Sequence, residues 1–589
     1  MTQSYLDRRA VLRGATLMGS GVALAGWLPA WAQPVSAGIA PDMPVLSGEE
    51  IAIRIAHQPV TIDGRTSHGI AMNGTIPAPL IRLREGQNVR IAVTNALDED
   101  SSVHWHGLIL PAEMDGVPGI SFPGIRPNET FVYEFPIVQS GTYWYHSHSG
   151  LQEQLGHYGP IIIDPAGEDP VRSDREHVIV LSDYSATHPH VIFRKLKQQG
   201  GYFNRRRQTL AGLLAGRDQT LRERLRWGAM RMDPTDVADV TGAAYTYLVN
   251  GHGPADNWTG LFRPGERVRL RVINAAAMTI FNFRIPGLKL TIVQADGQNV
   301  RPVAANELQI TVAETYDVIV EPVEDRPYTI VAEASDRSGM GCATLAPRAG
   351  MSAQIPLPRE RPILTMTDMG MSAMDHGALN DDSRAGDGGH AGHGAAVSAT
   401  ATPQGSHAMR DFSNVPNVAR TPAVQSIAPM PIDRTGEPGI GLDDVGHDVL
   451  TYRHLMALDR NPDVRAPSRS LQIHLTGNME RYMWAFDGVT FNALTAPIPF
   501  RQDERVRITL INDTMMAHPI HLHGHFFELV TGHGSYAPRK HTVNVLPGGS
   551  VTLDVTTDAL GDWAFHCHLL YHMHAGMMHV VAVRAKGTG

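Results

Sequence analysis

The 589-residue chain has few cysteines and few aromatic residues, and its net charge is negative. Its two cysteines are too few for a disulfide-stabilised scaffold. A formal net charge of −9 argues against nucleic acid as the main partner. After the N-terminal segment, no apolar run reaches the length of about 18 residues that a membrane-spanning helix needs. We therefore expect a mature protein that does not insert stably into a membrane.

What the chain does contain indicates a globular protein that handles metal. Hydrophobic residues make up 42% and charged residues 19% of the sequence, which is typical of globular domains. The length corresponds to about three to four domains. The sequence also has 29 histidines and 24 methionines. Imidazole and thioether groups bind transition metals, provided that these residues cluster.

The first 32 residues have the layout of an export signal. Arg8-Arg9 precedes a mildly apolar run, and Ala30-Trp31-Ala32 has the small-residue pattern of a cleavage site. Paired arginines are typical of a twin-arginine signal. We expect a signal peptide over residues 1–32 and delivery of the mature chain to the periplasm. The alternative is an uncleaved anchor, but the run is rich in glycine and alanine and would span a membrane poorly.

One strand pattern occurs three times. Residues 89–95, 268–274 and 506–512 alternate in polarity, begin with Val-Arg and end in asparagine. Alternation with a period of two is typical of β-strands that have one buried face. One such strand would be weak evidence, whereas three copies with asparagine at the same offset predict three homologous domains.

We predict an all-β protein of three Greek-key β-sandwich domains, at residues 45–167, 175–345 and 448–586. Leucines and arginines replace the strand pattern at about residues 193–234, which predicts a helical insertion in domain two. Residues 346–447 are rich in proline, glycine, alanine and serine, which is typical of a long irregular linker.

Four His-x-His pairs occupy repeat-related positions in domains one and three. The first pair of each domain lies nine and eleven residues after the repeated asparagine, where domain two has Phe283 and Ile285. The pairs are His104 and His106, His146 and His148, His521 and His523, and His566 and His568. Residues i and i+2 of a strand face the same side, so each pair presents two imidazoles together. Eight neutral imidazoles suit copper, zinc, iron or nickel.

Cys567 selects among these metals. It lies between the two histidines of the last pair, so its side chain must point to the opposite face of the strand. A thiolate with two imidazoles and a weak axial thioether is the blue-copper pattern, and His518, His572 and Met577 are placed to supply these groups. The alternative is a buried structural cysteine.

Only domain three is expected to hold this centre, because domain one has Ser147 at the matching position. Cys342 has no such neighbours, and we interpret it as a buried reduced thiol without an assigned role. A centre that accepts single electrons beside a multi-metal cluster suits four-electron reduction of O₂. A copper nitrite reductase would leave half of the cluster histidines without a role.

These motifs resemble the multicopper oxidases, and in more detail their laccase-like copper-resistance protein A branch. The stretches that carry the closer resemblance are 114–119 (MDGVPG), 475–484 (LTGNMERYMW) and 566–573 (HCHLLYHM), together with 230–236 in the helical insertion. The resemblance implies three cupredoxin domains and four copper ions, one in a blue site and three in a trinuclear cluster.

The resemblance also implies a role for each ligand. His104 and His521 would hold the mononuclear copper of the cluster. One of the paired coppers would bind His106, His146 and His566, and the other His148, His523 and His568. The blue copper would bind Cys567, His518, His572 and Met577. Asp115 lies where relatives place a carboxylate that assists proton delivery; its alternative role is a turn residue before Gly116.

Two features depart from the resemblance. Cuprous oxidases of this kind often have an acidic residue directly after the last blue-copper histidine, whereas Met573 follows it here. The sequence therefore does not identify the residues of the proton path. The methionine-rich linker is present only in reduced form. Its possible accessory Cu(I) ligands are Met366, Met369, Met371, Met374 and His376; the alternative is that these residues reflect composition alone.

We therefore expect an exported multicopper oxidase that reduces O₂ to water with electrons from Cu(I), phenols or both, in copper resistance. The alternative is a periplasmic copper-sequestering protein with little turnover. The sequence does not identify the natural electron donor, the substrate pocket or the oligomeric state.

Overall fold

The computed structural model describes residues 43–371, 415 and 417–587. Within these ranges the chain forms six β-sheets and few helices, so the all-β prediction is confirmed. Two sheets are built from each of three successive parts of the chain. The predicted signal peptide and the centre of the predicted linker lie outside the described residues.

The first two sheets are built from nine strands. They are β1 (Val45–Ser47), β2 (Glu50–Ile62), β3 (Arg65–Met72), β4 (Leu80–Arg84), β5 (Asn88–Asn95), β6 (His104–His106), β7 (Thr130–Pro136), β8 (Gly141–His146) and β9 (Tyr158–Asp164). The strand orders are β1-β4-β9-β8-β6 and β3-β2-β5-β7. Strands β6 and β8, which begin or end in a histidine pair, are neighbours.

The middle part of the chain forms the next two sheets. Its strands are β10 (Arg175–Tyr184), β11 (Thr246–Val249), β12 (Thr259–Leu261), β13 (Val268–Asn274), β14 (Phe281–Arg284), β15 (Leu290–Ala295), β16 (Gln298–Ala305), β17 (Glu307–Ile310), β18 (Thr315–Val320), β19 (Tyr328–Ala334) and β20 (Met340–Ala346). The strand orders are β11-β10-β13-β18-β15-β16 and β12-β20-β19-β14-β17.

Three helices lie between β10 and β11. They are α1 (Pro189–Gln198), α2 (Leu210–Leu214) and α3 (Leu221–Ala229). Helix α3 begins with a capping box in which Thr220 and Glu223 satisfy each other's backbone N–H groups. Helices α2 and α3 lie inside the stretch for which helix was expected from the sequence.

The last two sheets carry the second half of the histidines. The strands are β21 (Ile432–Asp433), β22 (Arg469–Asn478), β23 (Met483–Phe486), β24 (Ile498–Arg501), β25 (Glu504–Asn512), β26 (His518–Leu522), β27 (Phe527–Leu529), β28 (Arg539–Lys540), β29 (Thr542–Val545), β30 (Gly549–Thr557), β31 (Gly561–Cys567) and β32 (Met578–Arg584), and helix α4 (Leu570–His574) lies between the last two. The strand orders are β23-β22-β25-β30-β27-β28, with β21 beside β30, and β24-β32-β31-β26-β29.

The three repeated segments become β5, β13 and β25, which have equivalent neighbours. Each pairs in parallel with one strand and antiparallel with another. Their terminal residues Asn95, Asn274 and Asn512 are fully buried. Each asparagine amide donates to two backbone carbonyls, and its oxygen accepts the N–H group two residues later. The repeated asparagine therefore fixes the loop that leads into β6, β14 or β26.

The apolar core is continuous through all three parts of the chain. Residues 347–371 and 417–431 contain no strand, and a single 3₁₀ turn, Thr367–Met369, interrupts the first of these stretches. No helix in the described ranges is both long and apolar enough to cross a membrane.

Candidate copper centres

Strand pairing brings the histidine pairs together within each half of the site. His104 lies opposite His146 in the antiparallel β6–β8 ladder. His521 lies opposite His566 in the β26–β31 ladder. Because residues on one face of an antiparallel pair are close neighbours, each half contributes four imidazoles to one patch.

The two halves meet ring against ring. The ring centroids of His106 and His521 are 3.8 Å apart, and those of His104 and His523 are 3.9 Å apart. His148 of the first half also lies 5.0 Å from His566 of the second. The eight predicted imidazoles therefore form one cluster between the N-terminal and C-terminal sheets.

These rings fit a metal cluster because their nitrogens are buried without partners. Nε2 has no hydrogen-bond partner in His104, His106, His146, His148, His521 and His568. Buried polar atoms are normally paired, so this many orphaned nitrogens at one place call for an explanation. Metal ligation supplies it, since neutral imidazoles are the form that binds copper.

Burial favours the neutral form of seven of the eight histidines. It lowers the pKa of most of the imidazoles well below the usual value, with neighbouring histidines as the next cause; these are His106, His146, His148, His521, His523 and His568. The pKa of His566 is lowered to about 4 by the same burial.

The geometry differs from the expected division of the last histidine pair. A nitrogen of His566 lies within 4.8 Å of nitrogens of His148 and His523, whereas the ring of His568 lies 4.9 Å from His106 and 5.0 Å from His146. The expected assignment was the reverse. The register explains the exchange: His523 N–H donates to Ala564 O, but His568 N–H donates to Pro519 O, so His566 is the member nearer to His523.

Asp115 links the two halves of the cluster. Its Oδ2 lies 2.8 Å from His523 Nδ1 and its Oδ1 lies 3.2 Å from His104 Nδ1. Its main-chain oxygen also lies 2.7 Å from His104 Nδ1. Acceptors at Nδ1 place the proton there and leave Nε2 free for a metal. A side chain at Gly116 would put a Cβ 1.9 Å from Val103 O, so the turn that follows Asp115 requires glycine.

Two further residues of the cluster were missed by sequence reasoning. Glu153 Oε2 lies 2.7 Å from His146 Nδ1, and burial raises the pKa of this carboxyl group well above its usual value. His541 lies beside His106 and His521. Neither residue has a His-x-His neighbour, so only the folded chain shows that they belong to the site.

On the other face of β31, Cys567 lies close to His518 and His572, the two histidines that were expected to share its metal. Cys567 Sγ lies 3.6 Å from His518 Nδ1 and 3.8 Å from His572 Nδ1, and the two nitrogens are 3.2 Å apart. All three side chains are fully buried. Met577 is buried too, and its backbone oxygen accepts from Cys567 N–H at 3.1 Å. The assignment of its thioether as axial ligand stays a prediction.

Hydrogen bonds orient both imidazoles of this blue-copper candidate. His518 Nε2 lies 2.8 Å from Thr514 Oγ1, and His572 Nε2 lies 2.6 Å from Asp239 Oδ2. Trp484 stacks on the His572 ring at 3.9 Å. With Nε2 of each ring engaged, Nδ1 is the atom that is left to face the sulfur.

Asp239 comes from the middle part of the chain and was also missed. Burial raises its pKa to about 7, although the 2.8 Å hydrogen bond from Tyr482 opposes this shift. Burial and then the charge of Asp239 raise the pKa of Asp236 to about 8. Asp236 lines a cavity of about 360 Å³. The cavity therefore reaches a carboxyl group that neighbours the hydrogen-bond partner of His572.

Methionines surround this cavity. Its lining includes Met232, Met479 and Met515, together with Asp233 and Glu480. The same methionines pack around Trp227 in what we call the methionine cluster, which consists of Met230, Met232, Met366, Met369, Met371, Met479 and Met515. Three of the predicted accessory Cu(I) ligands thus lie in this cluster, and Met374 and His376 lie outside the described residues.

Cys342 lies on β20 as a free, buried thiol. Burial raises its pKa to about 12. It packs in a small apolar cluster with Val331 and Met340.

Comparisons with known proteins agree on one family. Its models, each described as Multicopper oxidase, match residues 54–168, 176–350 and 465–587. The chain is 46% identical to a copper resistance protein A homolog of Pseudomonas syringae pv. tomato, with 98% of this chain and 99% of the relative covered. It is also 46% identical to copper resistance protein A of Escherichia coli, again with 98% and 99% covered.

Solved structures share the fold. The multicopper oxidase Fet3p aligns with a TM-score of 0.62 at 19% identity, with 91% of this chain and 90% of Fet3p covered. A laccase from Botrytis aclada aligns with a TM-score of 0.60 at 21% identity, with 92% and 88% covered. The cupredoxin-like fold class is confirmed. Family members bind four coppers, one in a type 1 site and three in a trinuclear cluster. The chain belongs to the multicopper oxidase family and is an oxidoreductase of that family.

Proposed function

We propose that the protein is an exported cuprous oxidase in copper resistance, which takes electrons from Cu(I) beside His572 and reduces O₂ to water at the eight-histidine cluster. The observation that carries this is the back-to-back arrangement on β31, where Cys567 faces two histidines and its chain neighbours face six others. The copper resistance relatives support the physiological role. Copper in these sites would supply one-electron oxidation of the donor and four-electron reduction of O₂.

The chain itself supplies the connection between the two sites. Cys567 is bonded through the backbone to His566 and His568, so an electron that reaches the sulfur has a covalent route of a few bonds to the cluster. The route lies inside the core, where these three side chains are at most 3% exposed. Collecting four electrons at one buried cluster limits release of partly reduced oxygen.

The donor side has the chemistry of a Cu(I) site. Thioethers are soft ligands that select Cu(I), and three of them line the cavity that leads towards Asp239. Asp233 and Glu480 line the same cavity, but they are paired with Arg207 and Arg231 of that lining, at 3.7 Å and 2.7 Å. Selection of Cu(I) at this cavity therefore depends on the thioethers. Among the described residues that line this cavity, none is aromatic, which favours a metal ion over a phenol as the donor.

Protons for O₂ reduction have two carriers beside the cluster. Asp115 contacts His104 and His523, and Glu153 contacts His146. Burial raises the pKa of the Glu153 carboxyl group well above its usual value, which favours the protonated form, and a protonated carboxyl group can act as a proton donor. We assign Glu153 and Asp115 to proton delivery, in place of the acidic residue that is absent after His572.

The N-terminal 32 residues would act as a twin-arginine signal, and the three domains at 45–167, 175–345 and 448–586 would fold before export. Domain two would hold no copper of its own. It would instead supply Asp239 and the cavity beside the blue site.

Copper storage is the second candidate function. The methionine cluster favours it, because seven thioethers exceed what one substrate ion needs. The complete buried cluster argues against storage as the sole function. If the fully copper-loaded protein consumed O₂ only at background rate with Cu(I) and with phenols, storage would be the better account.

The test measures O₂ uptake with each donor in matched variants. The triple variant Met232→Leu, Met479→Leu and Met515→Leu conserves side-chain volume but removes the sulfurs. We expect its KM for Cu(I) to rise about tenfold while kcat/KM for a phenol stays unchanged. Met340→Leu, a buried methionine of domain two, is the control. An unchanged KM for Cu(I) would remove the cavity from the substrate path.

A further inference from the structure

A ninth histidine lies against the cluster. His541 stands between β28 and β29 and is 1% exposed. One of its nitrogens lies within 4.8 Å of a nitrogen of His106 and of His521. Its ring centroid is 4.8 Å from the His106 ring and 5.5 Å from the His521 ring. A ninth imidazole therefore borders the eight of the His-x-His pairs.

The two nitrogens of His541 have different surroundings. Nδ1 lies 3.1 Å from Thr542 Oγ1 and 3.6 Å from Asp296 Oδ2. Nε2 is buried and has no hydrogen-bond partner. An oxygen acceptor at one ring nitrogen holds the proton there and leaves the lone pair on the other, as is typical of metal-binding histidines. In the tautomer that donates from Nδ1 to Thr542 Oγ1, the free lone pair lies on the unpartnered Nε2.

The backbone around His541 is fixed from both sides. Asp296 Oδ2 accepts the N–H groups of His541 and Thr542, at 3.2 Å and 3.1 Å. The main-chain oxygen of His541 lies 2.7 Å from His521 Nδ1. His541 and His521 are thus positioned relative to each other by a direct hydrogen bond.

Gly107 makes room for the ring. A Cβ at this position would lie 2.6 Å from His541 Nε2, closer than side-chain atoms approach one another. The residue after the first His-x-His pair must therefore be glycine for His541 to occupy this place. The His541 ring therefore occupies the space that a side chain at position 107 would fill.

We propose that His541 is a ninth imidazole of the copper cluster, which supplies a neutral nitrogen donor at the end where His106 and His521 lie. The proposal rests on the proposed function, because it presupposes that the cluster holds copper. It extends the ligand shell beyond the four His-x-His pairs, through a residue that no repeat or motif of the sequence marks.

The test compares copper-loaded wild type with His541→Asn and His541→Gln. Asparagine retains a polar group near the Nδ1 position but lacks Nε2, whereas the glutamine amide reaches the Nε2 position. We expect His541→Asn to lower the affinity of the mononuclear cluster copper about 10- to 100-fold in dialysis against a chelator. Its electron paramagnetic resonance hyperfine splitting should change, with the blue absorption retained. His541→Gln should restore part of the affinity.

The control is His177→Asn, since this histidine is hydrogen-bonded to Leu261 in domain two. An Asn variant whose mononuclear copper signal and chelator resistance both match wild type would overturn the ninth-ligand proposal while leaving the oxidase proposal intact. A copper-loaded wild type without any mononuclear copper signal would overturn the proposed function, and this proposal with it.

Discussion

Domain one contains a hydrogen-bonded counterpart of the proposed blue site in domain three. Ser101, Ser147 and Gln152 have the same spacing from their histidine pairs as His518, Cys567 and His572. In domain one the triad is closed by hydrogen bonds, because Ser101 Oγ and Ser147 Oγ donate to Gln152 Oε1 at 2.8 Å and 2.9 Å. In domain three the equivalent atoms, Cys567 Sγ and the Nδ1 atoms of His518 and His572, converge at 3.2 to 3.8 Å.

The difference shows that one backbone arrangement serves two kinds of polar core. Hydroxyl and amide groups satisfy one another and need no ion. A single S–H hydrogen cannot satisfy the Nδ1 lone pairs of two imidazoles at once, whereas a thiolate with two neutral imidazoles is a copper ligand set. We therefore expect three side chains to determine which domain holds the blue site, because the strands that carry them are equivalent. Variants of these side chains and of their contacts test the difference between the two domains.

The largest effect is expected when domain three is made like domain one at its central position. Cys567→Ser removes the sulfur ligand, so the intense visible absorption and O₂ uptake with Cu(I) should both fall to background. Absorption spectroscopy and an oxygen electrode measure the two quantities. Cys342→Ala removes the other thiol of the chain and should retain both. Full activity in the Ser variant would exclude the route through Cys567.

A smaller effect is expected at the carboxylate that joins the two domains. Asp115→Asn weakens the contacts with His523 and His104, so copper affinity of the cluster or kcat should fall about 10- to 100-fold. Copper content after chelator dialysis and steady-state O₂ uptake provide the readouts. Asp98→Asn is the matched control, because the Asp98 side chain is 92% exposed. Equal behaviour of the two variants would leave Asp115 as a turn residue.

The next effect is expected from a contact that distinguishes the two triads: His572 of domain three is hydrogen-bonded to Asp239 of domain two. Burial raises the pKa of Asp239 to about 7. Above that pH the ionised carboxylate accepts a hydrogen bond from His572, and below it the carboxylate becomes protonated and loses its charge. We expect kcat/KM for Cu(I) to fall up to about tenfold per pH unit below pH 7. Asp239→Asn should abolish this inflection in a pH series of initial rates; an inflection that persists would belong to another group.

The smallest effect is expected in the hydrogen-bonded triad of domain one. Ser147→Ala removes one donor from Gln152 while Ser101 remains, so the free energy of unfolding should fall by about 1 kcal/mol. Urea denaturation measures this, and the blue absorption should not change. A changed absorption spectrum would mean that domain one contributes to the blue site.

The part of the site that depends on local spacing was accessible from the sequence. Strand alternation predicted that Cys567 faces away from His566, and the ladders β6–β8 and β26–β31 bring the histidine pairs together. The sequence did not indicate which member of the last pair, His566 or His568, lies beside His523. This depends on the register in which β26 pairs with β31.

Contacts across large separations along the chain could not be predicted either. Asp239 reaches His572 over 333 residues, and Asp115 reaches His523 over 408. Asp239 lies next to the helical part of domain two, where no motif marks it. His541 follows a short strand that has no histidine repeat. For such residues the packing of one domain on another is the only signal.

The most direct test of the account follows the visible absorption of the copper-loaded protein through one redox cycle. Excess Cu(I) without O₂ should bleach it, and O₂ should restore it with four Cu(I) ions oxidised per O₂ and no hydrogen peroxide released. An absorption that stayed bleached in O₂, or that returned with stoichiometric hydrogen peroxide, would contradict the claim that β31 connects the sulfur site to the cluster.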